Sequence, residues 1–275
     1  MSPNELKLDL SDEIIVLTGG AGVLCGTMAE ALAARGASVA VLDIDEEAAE
    51  EKAKAIRSAG GDALAVTSNV LDKEDLQHAL RLIQESLGTP TVLINGAGGN
   101  KADATTGPDK EFFDLPDDAV RDVFDLNFIG TFLPSQVFGK AMVEAGGGNI
   151  INVSSMNAFS PLTKIPAYSA AKAAVSNFTE WLAVHMSQNY DNKVRVNAIA
   201  PGFFLTKQNR FLLIDEDTGD LTDRGATIIN HTPMDRFGDP EDLIGTILWL
   251  LSDSSKFVHG IVVPIDGGFS AFSGV

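Results

Sequence analysis

A single cysteine, Cys25, stands in the whole chain, so no intramolecular disulfide can staple it and its own core has to hold the fold. Basic residues are scarce: 20 Lys and Arg face 38 Asp and Glu, a formal net charge of −18. That balance repels phosphate backbones and anionic membrane surfaces, and no local basic cluster offsets it, so neither nucleic acid nor a membrane is expected as a partner. Long apolar runs are missing too. The stretch 247–251 is among the longest, far short of the roughly 20 residues that span a bilayer. The start, MSPNELKLDLSDE, has no basic region followed by an apolar core, and with one cysteine this leads to the expectation of a cytoplasmic protein. Four His and one Cys show no ligand spacing, so no metal site is expected. No internal repeat or low-complexity linker interrupts the chain.

What is present is ample material for a core, with 45% apolar residues over 275 positions. Short apolar runs at 14–17, 39–42, 63–67, 92–95, 150–153, 194–199 and 261–265 read as strands. Helical patterns alternate with them: one follows the first strand to Arg35-Gly36, and others cover 73–87, 116–142 and 241–251. Regular alternation of this kind calls for a parallel sheet with right-handed crossovers. The expected fold is α/β, one domain over residues 1–275, with helices on both faces of a doubly wound sheet. Two segments read as irregular, 101–115 and 203–233, and the second is expected to act as a lid over a binding site.

Chemistry concentrates at strand ends. The first strand runs into Thr18-Gly19-Gly20-Ala21-Gly22, a turn that can aim backbone N–H groups at a phosphate. The second ends at Asp43, where a carboxylate accepts both ribose hydroxyls of a dinucleotide and repels a 2′-phosphate; NAD is therefore expected ahead of NADP. The fourth runs into Asn95-Gly96-Ala97-Gly98, with Asn95 expected to brace its neighbour. The fifth is followed by Ser155, and thirteen residues later comes Tyr168 with Lys172 four positions on. Residues at i and i+4 share a helix face, so the ammonium can sit by the phenol and lower its pKa from roughly 10 toward the working range of a base. Ser155 can hold the substrate oxygen. Asn127 falls inside a helical stretch, where its propensity is poor.

Taken together and in this order, Thr18-Gly19, Asp43, Asn95-Gly96-Ala97-Gly98, Asn127, Ser155, Tyr168, Lys172, Pro201-Gly202 and Asp266-Gly267-Gly268 resemble the short-chain dehydrogenase/reductase family over essentially the whole chain. The resemblance implies a Rossmann-like seven-stranded sheet, a catalytic tetrad of Asn127, Ser155, Tyr168 and Lys172, and subunits that pair through two long helices into a homodimer or homotetramer. It implies cofactor contacts from Thr18, Gly19, Gly20, Gly22, Val23, Leu24, Asp43, Asn69, Val70, Asn95, Gly96, Ala97, Gly98, Tyr168, Lys172, Pro201, Gly202, Phe204 and Thr206. Two departures stand out: Val23 and Cys25 occupy positions where the family carries glycines, and Asn69 replaces an aspartate near the adenine.

Within the family, the runs Gly20-Ala21-Gly22-Val23-Leu24-Cys25-Gly26, Ser154-Ser155-Met156-Asn157-Ala158 and Pro201-Gly202-Phe203-Phe204 are similar to the D-mannonate oxidoreductase (fructuronate reductase) branch. That implies a sugar-acid substrate held by polar and cationic loop residues, for which Asn100, Asn157, Lys164, Gln208 and Arg210 are candidates, with Lys101 and Lys207 as further cations. A neutral polyol or keto sugar, or a gluconate-type acid, is the alternative substrate. A non-catalytic NAD-binding scaffold is the alternative class.

Overall fold

The strands carry near-continuous apolar runs because both faces of the sheet are covered, as parallel sheets require. In the computed structural model, which describes residues 9–190, 193–206, 210–215 and 218–274, seven strands form one sheet. They are β1 Ile14–Thr18, β2 Ser38–Asp43, β3 Asp62–Thr67, β4 Val92–Asn95, β5 Gly148–Val153, β6 Val194–Pro201 and β7 Val262–Ile265. Their order is β3-β2-β1-β4-β5-β6-β7, every pair parallel. All seven expected strands are present.

Side chains alternate between the two faces with period two. Ile15, Leu17, Val39, Val41, Ile94, Ile151 and Ile199 pack on one side against α1 (Val23–Ala33), α2 (Glu46–Ser58) and α9 (Ile244–Leu251). Val16, Ala40, Leu42, Val66, Leu93, Ile150 and Val196 pack on the other against α3 (Lys73–Ser86), α5 (Gly130–Ala145) and α6 (Pro166–Asn189). Each fully buried Leu or Ile contributes roughly 1.5–3 kcal/mol, so these two clusters dominate the stability of the sheet.

Helix starts follow their caps. Asp45 accepts from the backbone of Ala48, Asp72 from Glu74 and Asp75, and Pro166 takes the first position of α6, where no intrahelical N–H is needed. The stretch 116–142, expected as one helix, is two helices joined by a π-helical turn: α4 Asp117–Phe124, the turn Asp125–Ile129, then α5. The cause is Asn127, whose Nδ2 donates to Val123 O and to Gly99 O, both at 2.7 Å, and so ties the helix to the end of β4. π-turns of this kind gather at functional sites.

The segment 203–233, expected to be irregular, holds two short helices, α7 Arg210–Leu213 and α8 Asp223–Asn230, the latter capped by Thr222. The segment 101–115 is pinned to the loop before α6 by the Thr106 N–H, which donates to Lys164 O at 2.9 Å. Among the described residues no helix is long and apolar enough to cross a membrane.

Candidate active site

The strand order turns back between β1 and β4, and in open α/β sheets ligands bind outside the carboxyl ends of the strands at such a point. A cleft of about 450 Å³ lies there. Its walls include Gly19, Gly22, Val23, Leu24, Asp43, Asn69, Val70, Gly96, Ala97, Gly98 and Thr206, all expected from the sequence. The two glycine turns touch: a Cβ on Gly19, whose φ is +62°, would stand 2.9 Å from Ala97 Cα. Thr18 sits behind them, fully buried, its Oγ1 accepting from Gly96 N at 3.1 Å and Ala97 N at 3.2 Å.

Asp43 is fixed by its own neighbours, Oδ2 accepting from Ala21 N and Oδ1 from Asp45 N. Asn69 uses its Oδ1 to accept from Leu71 N at 3.0 Å, so the amide closes a local turn and offers Nδ2 outward. Other expected contacts hold the frame. Asn95 Nδ2 donates to Asn152 Oδ1 at 2.8 Å and Ser135 Oγ at 2.9 Å, bracing β4 against β5. Gly20 packs against Val41, where a Cβ would meet Cγ1 at 3.0 Å. Pro201 pairs with Ile265 at the end of β6, and Gly202 faces Asp266. Phe204 is buried against Gly238 and lines a separate cavity with Arg236 and Asp266.

The four chemistry-bearing residues converge beside the cleft. Lys172 is buried, its Nζ donating to Val153 O at 2.8 Å and lying 5.7 Å from the Tyr168 ring centroid. Asn127 accepts through Oδ1 from Gly99 N at 3.2 Å. A Cβ on Gly98 would come 2.6 Å from Asn127 Oδ1 and 3.2 Å from Lys172 Nζ, so this glycine lets both groups approach the cleft. The Ser155 hydroxyl stands near the Tyr168 phenol and favours its ionised form.

Electrostatics here differ from the expectation that Lys172 dominates the phenol. Burial raises the Tyr168 pKa above its usual value, and the Ser155 hydroxyl opposes it. Burial pulls Lys172 down to about 8, with the nearby Cys25 acting in the other direction. Cys25 itself is pushed up to about 12 by burial, so its thiol stays protonated.

The substrate-side candidates scatter more. Asn157 is buried next to Ser155; Asn100 is exposed, its Nδ2 donating to Thr105 Oγ1 at 2.8 Å. Lys164 and Arg210 are exposed and carry no ion pair among the described residues, whereas Lys101 pairs with Asp122 at 2.6 Å. Gln208 and Lys207 lie outside the described residues. Sequence reasoning missed Ile44, Ser68 and Leu126 as cleft walls, although each adjoins a residue it singled out. It noted Cys25 only as a departure; the thiol forms part of the cleft floor.

A family model described as enoyl-(acyl carrier protein) reductase matches residues 22–270. An uncharacterised oxidoreductase, UxuB, of Bacillus subtilis is 52% identical over 98% of this chain and 99% of its own length. The 5-keto-D-gluconate 5-reductase of Escherichia coli K12 is 32% identical over 94% of this chain and 96% of its own. A crystal structure from Haemophilus influenzae, provisionally named a D-mannonate oxidoreductase and holding NAD, is 49% identical, covers 97% of this chain and 98% of its own, and superposes with a TM-score of 0.91.

Proposed function

The chain belongs to the short-chain dehydrogenase/reductase family, and from that premise we propose that it moves hydride between NAD and a secondary alcohol or ketone of a hexonate sugar acid, D-mannonate and D-fructuronate first. One observation carries this reading: Tyr168, Ser155, Lys172 and Asn127 meet beside a glycine-walled cleft that has Asp43 at its edge.

The cleft fits a dinucleotide. Backbone from Gly19 to Leu24 and from Gly96 to Gly98 lies bare enough for close approach, Asp43 stands where a ribose diol is accepted and a 2′-phosphate repelled, and Asn69, Val70 and Thr206 line the remaining walls. Bound NAD supplies the hydride acceptor, or its reduced form the donor. The protein supplies the rest. Tyr168 takes the alcohol proton at its phenolic oxygen during oxidation and returns it during reduction. Ser155 holds the substrate oxygen next to that phenol. Lys172, anchored on Val153 O, brings positive charge to the ribose and the phenol. Asn127 fixes the Gly99 backbone and supports the proton path to solvent.

The substrate carboxylate needs a cation, and Arg210, at the start of α7 within a lid at 203–233, and Lys164, on the loop before α6, are exposed ones outside any ion pair among the described residues. The E. coli relative favours a second reading, a gluconate-type acid. Oxidation of D-mannonate to D-fructuronate and of gluconate to 5-ketogluconate are both C5 oxidations of a hexonate, and the substrates differ in configuration at C2. A neutral keto sugar is the further alternative. Pairing of subunits into a dimer or tetramer is supported by the groove between α5 and α6, where Phe132, Trp181 and Tyr190 line an apolar surface and Trp181 is 55% exposed. A cytoplasmic location accords with the reduced, lone Cys25. Steady-state assay of NADH oxidation with D-fructuronate, 5-keto-D-gluconate and neutral ketoses tests the substrate reading directly.

A further inference from the structure

Asn157 stands at the centre of a short 3-10 turn, Met156–Ala158, just past Ser155. Its backbone N–H donates to Ser155 Oγ at 3.3 Å, which ties its position to the hydroxyl that meets Tyr168. The residue is 5% exposed, and its Oδ1 is sealed from solvent with no hydrogen-bond partner among the described residues. Asn95 and Asn149 also leave Oδ1 unpaired, yet each is anchored through Nδ2, to Ser135 and Asn152 in one case and to Leu250 O in the other. The Asn157 Nδ2 has no hydrogen-bond partner among the described residues either, but unlike Oδ1 it is not sealed from solvent.

A sealed carbonyl oxygen in that state costs roughly 1–3 kcal/mol. Packing does not explain its presence, since an aliphatic side chain would fill the volume without the cost. Folded proteins keep few such groups, and those they keep call for a cause. The cause is position: the residue lies two past Ser155, with its backbone N–H on the hydroxyl assigned to hold the reacting oxygen.

We propose that Asn157 selects substrates bearing a hydroxyl on the carbon next to the one that is oxidised or reduced. This rests on the reading of Ser155 as the group that holds the reacting oxygen. A carboxamide offers both acceptor and donors, the complement of a hydroxyl, which donates and accepts. Oxygens on adjacent carbons lie within hydrogen-bonding range of one another, so a group beside Ser155 meets the neighbour of the oxygen that Ser155 holds. A hexonate reacting at C5 has hydroxyls on both flanking carbons, C4 and C6. A ketone without such a neighbour leaves the carboxamide unpaired in the complex and is rejected for that reason.

The test compares NADH-dependent reduction of D-fructuronate and 5-keto-D-gluconate with that of 5-oxohexanoate, which keeps the chain, carboxylate and ketone position and lacks the flanking hydroxyls. Wild type, Asn157→Ala and Asn157→Ser are assayed for kcat and KM separately, with NADH affinity from fluorescence titration and melting temperature as controls. The expected result is a wild-type preference for the hydroxylated keto acids that falls about 30-fold in Asn157→Ala and is partly restored in Asn157→Ser, with NADH affinity steady. An Asn157→Ala enzyme that keeps the wild-type preference overturns the proposal. So does a variant that loses NADH affinity and thermal stability while Asn157→Ser restores both without altering preference, since that marks a packing role. A wild type that shows no preference overturns the sugar-acid reading as well, and it does so before any variant is compared.

Discussion

Replacing Gly96 with alanine tests whether Cys25 is a strut of the cofactor cleft. A Cβ at position 96 would stand 2.0 Å from Cys25 Sγ and 3.0 Å from Thr18 O. Non-bonded heavy atoms settle at about 3.5–4.0 Å, so the sulfur contact cannot be absorbed by a small shift. Cys25 is buried in the core beneath this turn, with only its cleft-facing side open. Overpacking of this depth costs about 3 kcal/mol. For a chain of this size that is a fall in melting temperature of roughly 6–12 °C. NADH binding should weaken too, because Gly96 and Ala97 form the cleft wall. Removing the sulfur relieves the worst of the clash: the new Cβ then faces the Cβ at position 25 at 3.7 Å, an ordinary contact, and keeps only the tight 3.0 Å approach to Thr18 O. Cys25→Ala alone loses about 1 kcal/mol through the cavity it leaves. The double variant should lose about 2 kcal/mol, the Cys25→Ala loss plus the remaining approach to Thr18 O, an interaction energy of about 2 kcal/mol in favour of the pair. Urea unfolding of the four proteins measures it. Additive losses, or a Gly96→Ala protein as stable as wild type, would refute the strut.

Five further outcomes follow. Tyr168→Phe should lose at least about a thousandfold in kcat while NADH affinity by fluorescence titration stays within twofold; retained turnover removes Tyr168 from the mechanism. Because oxidation needs the phenolate and burial raises this phenol, alcohol oxidation should climb with pH through the alkaline range while ketone reduction levels or falls, a profile that stopped-flow rates record. Lys172→Met should end turnover yet raise thermal stability. Burial holds the folded-state pKa at about 8 against 10.5, so below pH 8 the wild type carries a charge it would rather shed, a cost of roughly 3 kcal/mol less the lost bond to Val153 O. As pH rises from 8 to 10.5 the native amine is neutral and the unfolded one still charged, so the wild type gains stability and the gap to Lys172→Met closes; a gap that widens contradicts the sign. Asp43→Ser should raise the NADPH-to-NADH ratio of kcat/KM about a hundredfold, and Arg210→Ala should raise KM for a hexonate about tenfold without touching NADH affinity.

The seven strands were legible because a parallel sheet covered on both faces leaves continuous apolar runs, and Asp43, Asn95, Ser155 and Tyr168 each sit at or beyond the end of such a run. Tyr168 and Lys172 were legible from helical spacing taken together with the glycine turns, Asn127 and Ser155 in the same chain. What sequence could not carry was the long-range partner of each side chain. Asn127 reads from the sequence as a tetrad member placed awkwardly in a helix, and only its bond to Gly99 O, on another element, shows why the helix breaks into a π-turn there. Lys172 reads as a neighbour of the phenol, and only the fold turns its ammonium to Val153 O. The departure at Cys25 was visible, but its meaning lies in the distance to Gly96. In the segment 203–233, α7 is too short to leave a periodic pattern, while Thr222 ahead of α8 was a cap signal that went unused.

The most direct test of the central claim is the initial rate of NADH oxidation by the purified protein with D-fructuronate, set beside 5-keto-D-gluconate and neutral ketoses. The account predicts strong reduction of a 5-keto hexonate, D-fructuronate ahead, with NADPH a poor substitute. Turnover of neutral ketoses alone, or no turnover of any ketone by protein that binds NADH, would contradict it.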